Sequence, residues 1–145
     1  MGLDTTHGCW HGGYISFSSV FREALARAAG WPQDGEQMGA QDGSTIDWDK
    51  ITAANNRGRW NRLPKDPLVV LMVHSDCDGY IPVRALIPLA DRMEGLLPAV
   101  EEIGRRDFPA WMRDPAETQY LPTMVKRFIA GLRDAASRNE RVEFH

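Results

Sequence analysis

Rare reactive side chains are concentrated in two short segments of this sequence. Of its 4 histidines and 2 cysteines, five lie in "HGCWHGG", residues 7–13, or in "HSDCDG", residues 74–79. Imidazole, thiolate and carboxylate groups bind divalent metals, orient polar ligands and carry out general acid–base catalysis. The two segments therefore predict a polar site to which both contribute.

The segment "HSDCDG" has the residue types and the spacing of a metal site. His74, Asp76 and Asp78 alternate, so in an extended chain their side chains project from one side, and Gly79 permits a sharp turn after them. Histidine with carboxylates suits Mn²⁺, Fe²⁺ or Zn²⁺. We expect these three residues to bind a divalent metal, with Zn²⁺ or Mn²⁺ foremost, and they are also the candidate catalytic residues.

Further ligands are expected from the cysteines and from the first segment. Cys77 or Cys9 would shift the metal preference towards zinc. His7 and His11 are four residues apart, but the glycines around them make a helix doubtful, so the segment should curl around a ligand. We therefore place His11 and Cys77 among the metal ligands, and His7 and His11 among the ligand-binding residues.

The stretch "NNRGRWNR", residues 55–62, carries groups that suit anions. Arg57 and Arg59 precede Trp60, and guanidinium groups beside an aromatic ring suit a phosphate or a nucleobase. These three residues would supply the anion-binding half of a site whose other half is "HSDCDG". The alternative is a solvated loop with a packed tryptophan.

Known metal motifs provide a test of "HSDCDG". An EF-hand loop beginning at His74 would need a bidentate glutamate where Ala85 stands, which excludes a calcium loop. The signature strings of zinc deaminases and of His-Glu-x-x-His metalloproteases are absent. A predicted strand followed by His-x-Asp-x-Asp-Gly, from Leu68 to Gly79, does resemble the first motif of the DHH phosphoesterases.

That resemblance implies that the aspartates hold Mn²⁺ for attack of a metal-bound hydroxide on a phosphoester. The sequence has no Asp-His-His triplet and is far shorter than the two-domain members of the family, which favours convergence over membership.

A second resemblance spans nearly the whole chain. The strings "GLDTTHGCWHGGYISF", "HSDCDG", "PLADRMEGLLP" and "VEFH" are similar to those of a set of small proteins of bacteria and their phages. This second resemblance implies cytoplasmic residence and a shared site, but it does not imply a particular activity.

Each candidate residue also has a purely structural interpretation. Asp76 and Asp78 could shape the turn before Gly79. His74 could bond a carbonyl group in the core, and the cysteines could be small buried hydrophobic residues. All of these structural interpretations would have to be correct at once, in two separate segments. The pattern therefore favours a polar site.

Three functions agree with these observations. The first is binding, without turnover, of a small polar ligand that carries phosphate or resembles a nucleotide, of a divalent metal, or of both. The second is a metal-dependent hydrolase, and the third is an interaction module that inhibits another protein through exposed tryptophans. No glutamate lies in or near either motif to act as a general base, which favours binding. The tryptophans in question are Trp31, Trp48, Trp60 and Trp111.

Apolar periodicity indicates a single α/β domain over residues 1–145, with about three helices packed on a small sheet. An apolar stripe from Phe17 to Ala28 predicts a helix, and a second helix should begin near Pro88. A third should run from Leu121 to about Arg138. Residues 68–73 read as a buried strand, with a terminal strand at residues 142–144 beside it. Residues 31–66 should form a long irregular segment with a short element near "STIDWDKITAA".

Composition narrows the classes of partner. A net charge of -3 argues against general nucleic-acid binding. No apolar stretch is long enough to span a bilayer and no signal peptide is evident, so we expect a cytoplasmic protein without a membrane partner. The two cysteines are expected to be free thiols or ligands. The sequence is compatible with a homodimer as well as with a monomer.

Overall fold

The computed structural model describes residues 2–13, 16–30, 33–34, 37–38, 66–72, 79–107 and 120–145. A 3₁₀ helix, Thr6–Gly8, lies near the N-terminus, and a π-helical segment, Ser16–Arg22, continues into α1 (Glu23–Ala28). The remaining α-helices are α2 (Leu68–Met72), α3 (Val83–Asp107) and α4 (Leu121–Ser137). The strands are β1 (Gly2–Asp4), β2 (His11–Gly13), β3 (Gln33–Asp34), β4 (Gln37–Met38), β5 (Tyr80–Ile81) and β6 (Val142–Glu143). The described chain is thus mostly helical, with small antiparallel strand pairs.

The first predicted helix is confirmed. Phe17, Phe21 and Leu25 from its apolar stripe are fully buried. The helix ends where expected, because Gly30 has a φ of +72°, a left-handed conformation that is unstrained in glycine. Its N-terminal part is π-helical, a departure from the 3.6-residue spacing that the sequence pattern did not signal.

The prediction of a strand at residues 68–73 is wrong, because Leu68–Met72 forms the short helix α2. Asp66 begins it: its side-chain Oδ1 accepts a hydrogen bond from the Leu68 N–H at 3.0 Å, and its carbonyl oxygen accepts one from the Val69 N–H at 3.2 Å. Pro67 suits a first helical turn. A short apolar run has the same pattern in a buried strand and in a buried helix, and here the Asp-Pro pair selects the helix.

Helix α3 begins earlier than predicted, at Val83 directly after Pro82, and it contains Pro88 and Pro98. The expectation of a start near Pro88 is therefore wrong. Each proline removes one backbone hydrogen bond, but the helix packs along α1 and α4 over its length. Tertiary packing offsets that cost. The predicted inner face is confirmed in its buried members Leu89, Met93, Leu96 and Val100.

Helix α4 is confirmed, with Pro122 in its first turn and an apolar stripe against the core. It ends in a Schellman motif around Asn139, whose φ is +53°. The Glu140 N–H donates to the Ala135 carbonyl at 3.0 Å, and the Asn139 N–H donates to the Ala136 carbonyl at 3.1 Å. This cap sets the direction in which the chain leaves the helix.

The terminal strand is confirmed, but its predicted partner is not. Strand β6 pairs antiparallel with β5, Tyr80 opposite Glu143, instead of with residues 68–73. A bridge between Thr5 and Phe144 joins this ladder to the β1–β2 hairpin, so the spatial order is β2-β1-β6-β5. The C-terminal strand therefore lies between the N-terminal hairpin and β5, the strand that begins directly after Gly79.

Little of the predicted irregular segment, residues 31–66, belongs to the described chain. Strands β3 and β4 pair antiparallel within it, Gln33 opposite Met38. The short element expected near "STIDWDKITAA" lies outside the described residues. Within the described residues, no helix has the length and apolar character needed to cross a membrane.

Five aromatic side chains form the centre of the core. Phe17 stacks on Phe21 with ring centroids 5.6 Å apart and meets Phe144 edge-on at 5.8 Å. Trp10 packs against Phe21 at 5.0 Å, and Phe128 from α4 lies 5.3 Å from Phe21. This cluster joins the N-terminal hairpin, the first helix, α4 and the C-terminal strand, and it thereby holds "HGCWHGG" in place.

Candidate functional site

The segment "HGCWHGG" runs from a short 3₁₀ helix, Thr6–Gly8, through a turn at Cys9 and Trp10 into β2. Thr5 closes the turn, because its Oγ1 accepts a hydrogen bond from the Trp10 N–H at 2.8 Å. Cys9 and Trp10 point into the core, with exposures of 1% and 5%. His7 has a φ of +59°, a left-handed conformation uncommon outside glycine, which histidine adopts more readily than most residues.

A glycine in α4 lets this turn lie directly on the helix. A Cβ atom at Gly131 would lie 2.5 Å from Cys9 Sγ, 2.8 Å from the His7 carbonyl oxygen and 2.9 Å from the Cys9 nitrogen. Only glycine fits at such distances. The close approach brings the His7 side chain alongside Asp134, one helical turn beyond Gly131.

The His7 imidazole lies between two carboxylates. Its Nδ1 donates a hydrogen bond to Asp134 Oδ2 at 2.8 Å, and its Nε2 lies 3.4 Å from Glu140 Oε2. The side chain is only 10% exposed, whereas both carboxylates are substantially exposed. The hydrogen bond from His7 lowers the pKa of Asp134, and a hydrogen bond from Arg138 lowers it further. Asp134 therefore stays ionised and fixes the orientation of the ring.

An open cleft of about 430 Å³ lies beside this histidine. It is formed where the N-terminal turn, the end of α4 and β6 meet. Arg141 is engaged by Glu143, with Nη2 2.7 Å from Oε1. The carboxylates of Glu140 and Glu143 therefore leave the cleft better suited to cations and hydrogen-bond donors than to free anions. The lining residues are Thr6, His7, Val83, Asn139, Glu140, Arg141 and Glu143.

This arrangement has definite chemical capabilities. A histidine whose Nδ1 is bonded to a carboxylate presents Nε2 as the functional nitrogen, either to a metal or to a ligand proton. A left-handed backbone at a non-glycine residue costs free energy and is retained only where the surrounding structure enforces it, often at binding sites. His7 combines both features at the wall of a cleft.

The structure places Cys9 outside this chemistry. Burial raises the pKa of its thiol from 9.0 to about 12, more than the hydrogen bond with Thr5 lowers it. A neutral thiol in the core is a poor metal ligand. The burial of Cys9 does not support a role for its thiol as a metal ligand.

His7 and His11 do not share a partner. His11 is 87% exposed and contacts Asp4 across the β1–β2 ladder through a short contact between Nδ1 and Oδ1. His7 instead contacts Asp134 and Glu140. The expectation that both histidines curl around one ligand is not supported by these contacts.

The metal ligands predicted in the second segment lie outside the described residues, as do the residues of the anion-binding stretch and the tryptophans of the interaction hypothesis. Gly79, the last residue of "HSDCDG", is described: its φ is +96°, and its carbonyl accepts the Phe144 N–H at 3.0 Å. Phe144 also bridges to Thr5. The undescribed residues are His74, Asp76, Cys77, Asp78, Arg57, Arg59, Trp60, Trp31, Trp48 and Trp111.

The sequence did not reveal the partners of His7. Asp134 and Glu140 are more than a hundred residues away along the chain and belong to neither segment singled out in the sequence. One signal was present: Asn139 lies three residues after Ala136, the last apolar position, where an asparagine can end a helix, and such a cap directs the residue that follows it. The pairing itself follows only from the close approach at Gly131.

Among the described residues, no three histidine, cysteine or acidic side chains are placed to hold a metal ion as they stand. No protein-family model matches the chain, and neither a curated protein nor a solved structure matches it.

Proposed function

We propose that this protein binds a small polar ligand, a divalent cation or both at the cleft beside His7, without turnover. The observation that carries the proposal is the fixed imidazole: Asp134 holds Nδ1 at 2.8 Å while Nε2 lies beside Glu140 at the cleft wall. A purely structural histidine needs neither a strained backbone nor a cleft. Those features support a binding role.

The proposal that the cleft binds a divalent cation rests on the distance between His7 Nε2 and Glu140 Oε2. Two ligands of a tetrahedral zinc ion with bonds of about 2.0 Å lie about 3.3 Å apart. His7 Nε2 and Glu140 Oε2 are 3.4 Å apart. Asp134 would then be the outer partner that orients a metal-bound histidine. Water or the polar ligand would complete the coordination.

The charged side chains at the cleft walls limit which ligands can bind there. The cleft walls carry Glu140, Glu143 and Arg141, and Arg141 is already paired with Glu143. A phosphate would therefore bind there only with a cation or with an additional basic group. We propose Arg57 and Arg59, with Trp60, as that group. In the same proposal His74, Asp76 and Asp78 hold a second cation, with Cys77 as a further ligand. Gly79, which follows these residues in the sequence, accepts a hydrogen bond from the Phe144 N–H beside the C-terminal strand.

A metal-dependent hydrolase is the second candidate, and the same histidine favours it. An imidazole oriented by a carboxylate is an arrangement used for general bases, and a bound cation would lower the pKa of a water molecule. Turnover of a generic phosphodiester that requires His7 and a cation would select this alternative.

Thermal melting and calorimetry with Zn²⁺, Mn²⁺, Mg²⁺ and a panel of nucleotides test the proposal. We expect at least one probe to raise the melting temperature of the wild-type protein. In His7→Ala and Asp134→Asn the shift should fall by more than half, because the functional nitrogen is lost or misoriented. Glu101→Gln, which changes an exposed carboxylate on α3, is the matched control and should retain the full shift. Equal shifts in all four proteins would overturn the proposal.

A further inference from the structure

Three potential metal ligands lie in one row across neighbouring strands, away from the cleft. Asp4 lies directly opposite His11 in the β1–β2 ladder. On its other side Asp4 exchanges two backbone hydrogen bonds with His145. The Asp4 N–H donates to the His145 carbonyl oxygen at 3.2 Å, and the Asp4 carbonyl oxygen accepts from the His145 N–H at 2.8 Å. The carboxylate therefore has one imidazole-bearing residue on each side.

The three side chains leave the sheet on the same face. Directly opposed residues of antiparallel strands project to the same side. Burial agrees with this rule: Leu3 and Phe144, the neighbours of Asp4 and His145 in their strands, are buried, whereas Asp4, His11 and His145 are exposed. The row therefore lies on the outer face of the sheet, opposite the aromatic core.

The chemistry of the row is that of two imidazoles and one carboxylate. This set suits divalent first-row ions such as Zn²⁺, Mn²⁺ and Fe²⁺, with the remaining coordination positions filled by water. His11 Nδ1 already contacts Asp4 Oδ1. In the described structure the row is not closed around a common centre. Opposed Cβ atoms across a ladder are about 5 Å apart, so rotation of the exposed side chains can close it.

We propose that Asp4, His11 and His145 form a surface site for one divalent transition-metal ion, with Zn²⁺ as the preferred probe. The site joins the N-terminal hairpin to the C-terminal strand, so a bound ion would clamp the two ends of the described chain together. It does not depend on the cleft, because it shares no residue with His7, Asp134 or Glu140.

The test is calorimetric titration of tag-free protein with Zn²⁺ alone. We expect one ion bound per chain at this site, and at least about tenfold weaker binding in His11→Ala, in His145→Ala and in Asp4→Asn. These side chains are exposed, so the variants should keep the wild-type circular dichroism spectrum in the absence of metal. Glu101→Gln is the control that should bind as wild type does.

Two backgrounds separate this site from the others proposed. In His7→Ala and in the double variant His74→Ala, Asp76→Ala, the zinc affinity of the row should persist. Visible absorption of Co²⁺ gives a second readout, since its ligand-field bands should appear in both backgrounds and disappear in His11→Ala. The proposal is overturned if Zn²⁺ does not bind, if His11→Ala and His145→Ala bind as tightly as wild type, or if binding disappears only in the cleft or double variant.

Discussion

Gly131 of α4 lies against Cys9 of the N-terminal turn so closely that a methyl group at Gly131 would lie 2.5 Å from the Cys9 sulfur. The same methyl group would lie within 3 Å of two backbone atoms of the turn. These backbone atoms cannot move aside as the end of a flexible side chain can. This contact sets the position of His7, and through it the geometry of the cleft.

Gly131→Ala is therefore expected to destabilise the fold. Alanine favours a helix over glycine by about 1 kcal/mol, but overpacking against the turn costs about 1–3 kcal/mol, and more where backbone must move. We expect a net loss of about 1–2 kcal/mol in the free energy of unfolding, measured by urea denaturation.

Gly95→Ala is the matched control for that variant. Gly95 lies in α3, is exposed, and a Cβ there would meet nothing within 4 Å. Only the helix propensity changes, so Gly95→Ala should stabilise the protein by up to about 1 kcal/mol. Equal effects of the two substitutions would show that the turn does not rest on α4 as described.

The Cys9 thiol should be inert in the folded protein. With its pKa raised to about 12 by burial, only about one thiol in ten thousand is ionised at pH 8, and access is blocked as well. In a Cys77→Ser variant, which leaves Cys9 as the only cysteine, iodoacetamide should label the protein only after denaturant is added. Rapid labelling of the folded variant, followed by mass spectrometry, would contradict the burial of Cys9.

The pairing of His7 with Asp134 should appear in the pH dependence of stability. The hydrogen bonds from His7 and Arg138 lower the pKa of Asp134 below its ordinary value of 3.8. A lowered carboxyl pKa contributes stability that is fully present above the unfolded pKa and is lost as the pH falls through the folded one. The wild-type protein should therefore lose stability below about pH 4 more steeply than Asp134→Asn does.

Urea midpoints between about pH 2 and pH 6 measure this difference. Glu101→Gln removes an exposed carboxylate elsewhere and should leave the steep loss in place. If Asp134→Asn follows the wild-type curve at every pH, the carboxylate does not hold His7.

The helices of the core could be predicted because their apolar stripes repeat at 3.6 residues. The stripe from Phe17 to Leu25 and the one from Leu121 to Leu132 both face the core as expected. Residues 68–72 could not be assigned in this way, since a run in which nearly every position is buried has no period. Their helix depends on how Asp66 binds the backbone of the following turn.

The candidate site could be predicted only in part. His7 and His11 stand out because histidine is rare in this chain, but what each contacts depends on tertiary structure. Asp134 is 127 residues from His7. The Gly131 contact that brings them together has no signature in the sequence, because a glycine inside a helix reads only as a weak helix former. Burial likewise separates Cys9 from the histidines on either side of it.

Direct observation of the His7 imidazole is the most decisive test that the cleft binds a ligand. Long-range ¹H–¹⁵N spectra should be recorded during a Zn²⁺ titration of a His11→Ala, His145→Ala variant, which lacks the surface row. The proposal predicts that the His7 Nε2 resonance shifts with saturation while Nδ1 keeps its proton, and that His7→Ala abolishes the saturable binding. A His7 resonance that stays unmoved at saturating zinc, and at saturating levels of every nucleotide tested, would contradict it.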